Sequence, residues 1–143
     1  MNNSLFTSNS EEWETPQMLF NELNRKFDFQ LDVCATAHNA KCSEYYTKET
    51  DGLSHPWKMR NWMNPPYGRE IVKWVERANA ESIKGGVLTV ALLPARTDTQ
   101  WFDAYCAHWH KNFIRGRLQF TLPDGKTGSA PFPSMIVYFG IER

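Results

Sequence analysis

The run Val87-Leu88-Thr89-Val90-Ala91-Leu92-Leu93, preceded by Gly85-Gly86 and closed by Pro94, restricts the fold of this chain more than any other segment. It is apolar almost without interruption, so neither of its faces can be turned to water. A strand of that kind is covered on both sides, as central strands of parallel sheets are. Parallel strands need long crossovers, and the flanking segments read as helices. From Arg69 to Lys84, residues Ile71, Val72, Trp74, Val75 and Ala78 fit one helical face, closed by Gly85-Gly86. After the strand, Thr97 or Asp98 can cap a second helix in which Trp101, Phe102, Tyr105 and Cys106 recur.

The remaining segments extend the same pattern. Thr15-Pro16 reads as a helix start, with threonine able to cap the orphan amides and proline suited to the first helical position, followed by Leu19, Phe20, Leu23 and Phe27 near helical spacing. FQLDVCA, residues 29–35, reads as a short strand ending at Asp32 or just beyond, and the polar stretch up to TDGLSHPW reads as helix and loop. Trp62 and Met63 lead as a strand into Asn64, where Pro65 must end it because proline cannot donate to a ladder. FIRGRLQF reads as strand, PDGKTG as turn or loop, and SMIVYFG, residues 134–140, as a last strand. Strands alternating with helices predict an α/β chain with a wound, mostly parallel sheet and helices on its faces. In such sheets ligands bind beyond the carboxyl ends of the strands, where Asp32, Asn64 and Pro94 all fall.

A length of 143 residues provides for one domain, expected over residues 13–143 after a flexible stretch 1–12. The opening MNNSLFTSNS has neither a basic start nor a long apolar run, so a cytoplasmic protein with no membrane contact is expected. Cys34, Cys42 and Cys106 are an odd number, which argues against a disulfide framework. Cys34, His38 and Cys42, with His55, have a spacing able to ligate a metal; structural zinc sites use tighter cysteine pairs, so no metal is expected. Charge divides along the chain, with net −5 over residues 1–57 and net +5 over 58–143. That is either ordinary solvated surface or a basic face for a polyanion.

The segment NWMNPPYG, residues 61–68, joins an amide, two prolines and an aromatic ring at a strand end. An asparagine oxygen and a backbone carbonyl exposed by the following proline can accept the two hydrogens of an exocyclic amino group, opposing delocalisation of its lone pair into a base. A tyrosine beside them can stack on that base. The plain alternative is a strand followed by a proline turn with a packed aromatic, and a proline-rich ligand motif also competes.

Asn64-Pro65-Pro66-Tyr67 after an apolar strand resembles motif IV of amino-methyltransferases that use S-adenosylmethionine. Together with WETP (13–16), LDVCA, TDGL and LLPARTDTQWF, the chain from Trp13 to Tyr138 resembles the phage-type, Dam-like DNA N6-adenine methyltransferase family. The resemblance implies a Rossmann-like methyltransferase with a reduced, mostly parallel sheet, transferring a methyl group from S-adenosylmethionine to N6 of an adenine flipped out of DNA. It implies catalytic roles for Asn64 and the Pro65 carbonyl as acceptors, Pro66 as shaper of the loop and Tyr67 as stacking partner. Asp32 would meet the methionine part of the donor, with Val33, Ala35 and Asn64 nearby. Trp13, Thr15 and Pro16 would close over the donor, and Asp51 would lie near its adenine ring. A lone aspartate such as Asp51 is equally a helix cap or a solvated turn.

One departure stands out: no glycine-rich loop follows Asp32, and the first glycine is Gly52, so Ala35 and Ala37 must act as the small residues. Arg96, Lys111, Arg115, Arg117 and Lys126 are candidate DNA contacts for a monomer or homodimer. The family also implies a phage or prophage gene expressed in a bacterial host. Rival readings are the same chemistry on RNA adenine or protein glutamine, or a catalytically silent nucleic-acid-binding domain of the same fold; the intact NPPY argues against the last.

Overall fold

In the computed structural model, which describes residues 13–122 and 124–143, the apolar run lies at the middle of a six-stranded sheet. The expectation of a flexible stretch over 1–12 concerns residues outside that range. Helix α1 (Gln17–Phe27) precedes β1 (Leu31–Ala35), β2 (Tyr45–Thr47) and β3 (Arg60–Met63). Then come α2 (Ile71–Gly85), β4 (Leu88–Pro94) and β5 (Trp109–Phe113). A hairpin of β6 (Gln119–Thr121) and β7 (Thr127–Ser129) leads to β8 (Ser134–Glu142).

The strand order is β2-β1-β3-β4-β8-β5, with parallel pairing from β2 through β4. Strand β8 runs antiparallel to both β4 and β5. The chain is thus a mixed α/β fold with a mostly parallel sheet, as the alternation of elements predicts. Because β8 alone is reversed, β1, β3, β4 and β5 all end at the same edge.

Val90 through Leu93 are fully buried at the sheet centre. Helix α1 covers the face carrying Trp62 and Tyr138, its Phe20 ring lying 5.4 Å from Trp62 and its Phe27 ring 5.7 Å from Tyr138. Helix α2 packs along β4 and β8 through Ile71, Trp74, Val75 and Ala78. It ends at Gly86, whose φ of 67° and N–H to the Ser82 carbonyl form a left-handed cap, the role the glycine pair predicts.

Four expectations change. Thr15 does not cap α1, whose cap position is Pro16 with no side-chain bond; the threonine hydroxyl is engaged elsewhere. Val72 is 40% exposed on α2, off the buried face assigned to it. The polar stretch before β3 holds no α-helix but the short β2 and a 3₁₀ turn, Gly52–Ser54. The second helix is a single π-type turn, Phe102–Cys106, whose cap position is Trp101 with no side-chain cap bond, so neither Thr97 nor Asp98 caps it; Thr99 Oγ1 accepts from Phe102 N at 3.3 Å. That brevity lets the next strand start at Trp109, so FIRGRLQF spans the end of β5, a connection and part of β6 rather than one strand.

Candidate active site

The carboxyl edge of the sheet opens into a cleft of about 890 Å³, within the usual size of small-molecule sites. Its walls come from four places: Trp13–Thr15 before α1, the end of β1 with the loop to Lys41, the turn around Asp51–Leu53, and Asn64–Pro66 after β3. Trp62 and Trp74 supply apolar wall, while Asp32, Lys41 and Asn64 supply polar groups.

Asn64 sits where Pro65 stops the β3 ladder, and its side chain is held by a segment about 50 residues away. Nδ2 donates to the Trp13 carbonyl at 2.5 Å and to Thr15 Oγ1 at 3.0 Å. Oδ1 is buried and has no hydrogen-bond partner among the described residues. A buried amide oxygen without a partner is disfavoured unless something is meant to meet it. Here the unmet acceptor belongs to a residue lining the cleft, beside Pro65 and Pro66.

Asp32 is the second polar feature, 3% exposed at the base of the same cleft. Its Oδ1 accepts from Cys34 N at 3.2 Å and its Oδ2 from Lys41 N at 3.0 Å. Burial nevertheless raises its pKa from 3.8 to about 7, because those two amides and the Lys41 charge do not replace the lost water. No lysine or arginine among the described residues forms a salt bridge with it.

The folded carboxyl therefore holds its proton over a range where the unfolded one has lost it, and stability falls as pH rises from about 4 to about 7. Asp32→Asn is expected to flatten that interval when thermal midpoints of the two proteins are compared across pH. Parallel curves would show that Asp32 is not a protonated buried acid.

The other predicted residues divide. Trp13, Thr15, Ala35, Asp51, Pro65 and Pro66 line the cleft. Val33 does not: it is fully buried in the core, since its neighbour Asp32 takes the place at the cleft. Pro16 and Ala37 also lie off the wall. Asp51 does what a helix-capping aspartate does, accepting from Leu53 N at 3.1 Å and from Ser54 Oγ at 2.6 Å, while still bordering the cleft. Tyr67 offers no ring face to a ligand. It is 1% exposed, donates its hydroxyl to the Leu92 carbonyl at 2.9 Å, and meets Phe132 and Phe120 edge to face. The packed aromatic is the arrangement found, with stacking ruled out in this conformation by the rings that cover it.

Among the basic candidates, Lys111 is corrected. Its ammonium donates to the carbonyls of Trp109 and Ala107 at 2.7 and 2.8 Å, closing the π turn, so it is spent on structure. Arg96 follows β4, with Nη1 3.5 Å from the Tyr67 carbonyl and its guanidinium over the Phe132 ring. Arg115 and Arg117 are exposed just past the end of β5, and Lys126 is exposed in the β6–β7 turn.

Several cleft residues escaped sequence reasoning, Lys41 and Gly52 among them. Lys41, half-buried, gives its backbone N–H to Asp32 and its ammonium to Gln17 Oε1 at 2.8 Å. No motif marks it. Gly52 supplies the close approach expected of a glycine after Asp32: a Cβ there would lie 2.1 Å from the Val33 carbonyl. Its proximity to β1 arises only on folding, although TDGL already contained it. Cys34 and His38 line the cleft as well, and no group of three or more metal-ligating side chains converges among the described residues.

Residues 3–140 match the family model described as DNA N-6-adenine-methyltransferase (Dam). The chain is 36% identical over 142 residues to the DNA N-6-adenine-methyltransferase of Haemophilus phage HP1 (strain HP1c1), covering 92% of this chain and 80% of the relative. It is 32% identical over 93 residues to the protein of the same description from Escherichia phage T1, covering 63% of this chain and 38% of that one. A putative methyltransferase, YfdM, of Escherichia coli (strain K12) is 38% identical over 65 residues, 40% of this chain and 71% of its own.

Proposed function

The chain belongs to the DNA N-6-adenine-methyltransferase (Dam) family, and from that premise we propose that it methylates N6 of adenine in DNA with S-adenosylmethionine as donor. The observation that carries the reading is the buried Oδ1 of Asn64, without a partner among the described residues, on a residue that lines the cleft beside Pro65. Oδ1 and the Pro65 carbonyl accept the two hydrogens of the amino group, and these bonds improve as the nitrogen becomes tetrahedral. An adenine within the helix cannot present that group to them, so the base is taken out of the stack.

The donor fits the residues present. Asp32, a buried carboxyl with backbone amide partners and no salt bridge among the described residues, would hold its ammonium. Trp74 and the turn at Asp51–Leu53, which line the same cleft, would hold its nucleoside. S-adenosylmethionine supplies an electrophilic methyl group on a sulfonium that leaves as a neutral thioether. The protein's part is placement: Asp32 and the cleft hold one reactant, Asn64 and Pro65 the other, and the amino nitrogen gives up one proton to solvent.

The fold is Rossmann-like, with its ligands beyond the carboxyl ends of parallel strands, and residues 13–143 form one domain. Arg96, Arg115, Arg117 and Lys126 contact phosphates as the strand approaches that edge. The protein works in the cytoplasm of a bacterial host as a phage or prophage product. No helix of the described residues is long and apolar enough to cross a membrane.

The direct test is incubation of the purified protein with unmethylated DNA and labelled donor, followed by nucleoside mass spectrometry. N6-methyladenine at a recurring sequence supports the reading. Donor binding by folded protein with no label in DNA overturns it, and label in RNA or in protein glutamine would reassign the acceptor.

A further inference from the structure

An asparagine side chain has two ends of nearly equal size, and only one of them serves an amino acceptor site. With Oδ1 facing the incoming amino group a donor meets an acceptor; with the amide reversed, two NH₂ groups confront one another. Something must choose between these orientations.

The choice is made by the strap Trp13–Thr15. The Trp13 carbonyl is an acceptor only, so it can face Nδ2 and never Oδ1, and at 2.5 Å it is in full contact. Thr15 Oγ1 takes the second amide hydrogen at 3.0 Å. With both hydrogens used, the remaining end of the amide is the partnerless Oδ1. The strap is itself held in place. Glu14 pairs with Thr121 through two backbone bonds of 3.0 and 3.3 Å, and the Trp13 ring lies edge-on to Phe120 and Phe132, each at 5.4 Å. Thr15 is 4% exposed, so water does not compete for its hydroxyl.

We infer that Trp13, through its carbonyl, and Thr15, through its hydroxyl, are positioning residues that lock the Asn64 amide with Oδ1 toward the acceptor amino group. This rests on the methylation reading and adds to it a role distinct from closing over the donor. It also links the amide to the β6–β7 hairpin, because the hairpin anchors the strap.

Thr15→Val keeps the shape and removes the hydroxyl, while Thr15→Ser keeps the hydroxyl and removes a methyl. Turnover on DNA, affinity for S-adenosylhomocysteine by calorimetry, and the side-chain NH₂ resonances of Asn64, assigned by their loss in Asn64→Asp, are measured for each. The expected result for Thr15→Val is a fall in kcat of about 10-fold or more, with donor-product affinity little changed and one Asn64 amide proton shifted. Thr15→Ser restores both kcat and the resonance.

Unchanged kcat and resonances in Thr15→Val overturn the inference. So does a loss of affinity with kcat intact, which would return Thr15 to a donor-closing role, and so does failure of Thr15→Ser to rescue. A wild-type protein that binds the donor product and never methylates DNA would overturn the methylation reading and this inference with it, a result separable from the others because no variant is needed to see it.

Discussion

Asn64→Ala is expected to lower turnover on DNA by about 10²–10³-fold, the loss typical of removing one preorganised polar group at a reacting centre. The oxygen it removes has no structural partner to lose, so the fold should tolerate the change well. The two bonds made by Nδ2 do disappear, and Thr15, 4% exposed, has little water to replace its share, so some loss of stability accompanies the loss of turnover. Single-turnover kinetics at saturating donor would isolate the chemical step, and thermal melting would register the structural part. Wild-type turnover in this variant would sink the role of Asn64 as acceptor and, with it, the reading of the cleft as a methyl-transfer site.

Tyr67→Ala should act chiefly on stability, lowering it by about 3–5 kcal/mol, as truncation of a buried aromatic does. The ring fills space between Phe120 and Phe132, and its hydroxyl reaches the central strand at Leu92. Tyr67→Phe, which keeps the ring, should cost only about 1 kcal/mol for the single hydrogen bond. Denaturant unfolding of the three proteins would separate these values. A Tyr67→Ala protein as stable as wild type but poor at capturing an extruded base would instead show that the ring leaves its packed position to stack, with the β6–β7 hairpin moving away.

The contrast between these two residues shows how legibility varied within one motif. Asn64 was readable because its meaning is local: a polar residue after an apolar strand, stopped by proline, stands at a sheet edge wherever the strand lies. Tyr67 was misjudged because its surroundings are assembled from distant segments. Phe120 and Phe132 lie more than 50 residues further on, and nothing in NPPY indicates that they close over the ring. Lys111 failed for a related reason. Its ammonium finds the carbonyls of a π turn, and a π turn is not announced by the spacing of Trp101, Phe102 and Tyr105.

By itself the sequence determined the alternation of strands and helices, the central position of the Val87–Leu93 run, and the gathering of Asp32, Asn64 and Pro94 at one sheet edge. These follow from hydrophobic period, from proline and glycine at element ends, and from the direction in which parallel strands must run. Only the tertiary structure decided which small residue approaches β1, how the Asn64 amide is oriented, and how far burial raises the Asp32 pKa. Gly52 meets the Val33 carbonyl, Trp13 and Thr15 meet Asn64, and Lys41 meets Asp32 across chain separations that have no periodic signal. Desolvation, likewise, is a property of everything packed around a group, and it exists only once the chain has closed over it.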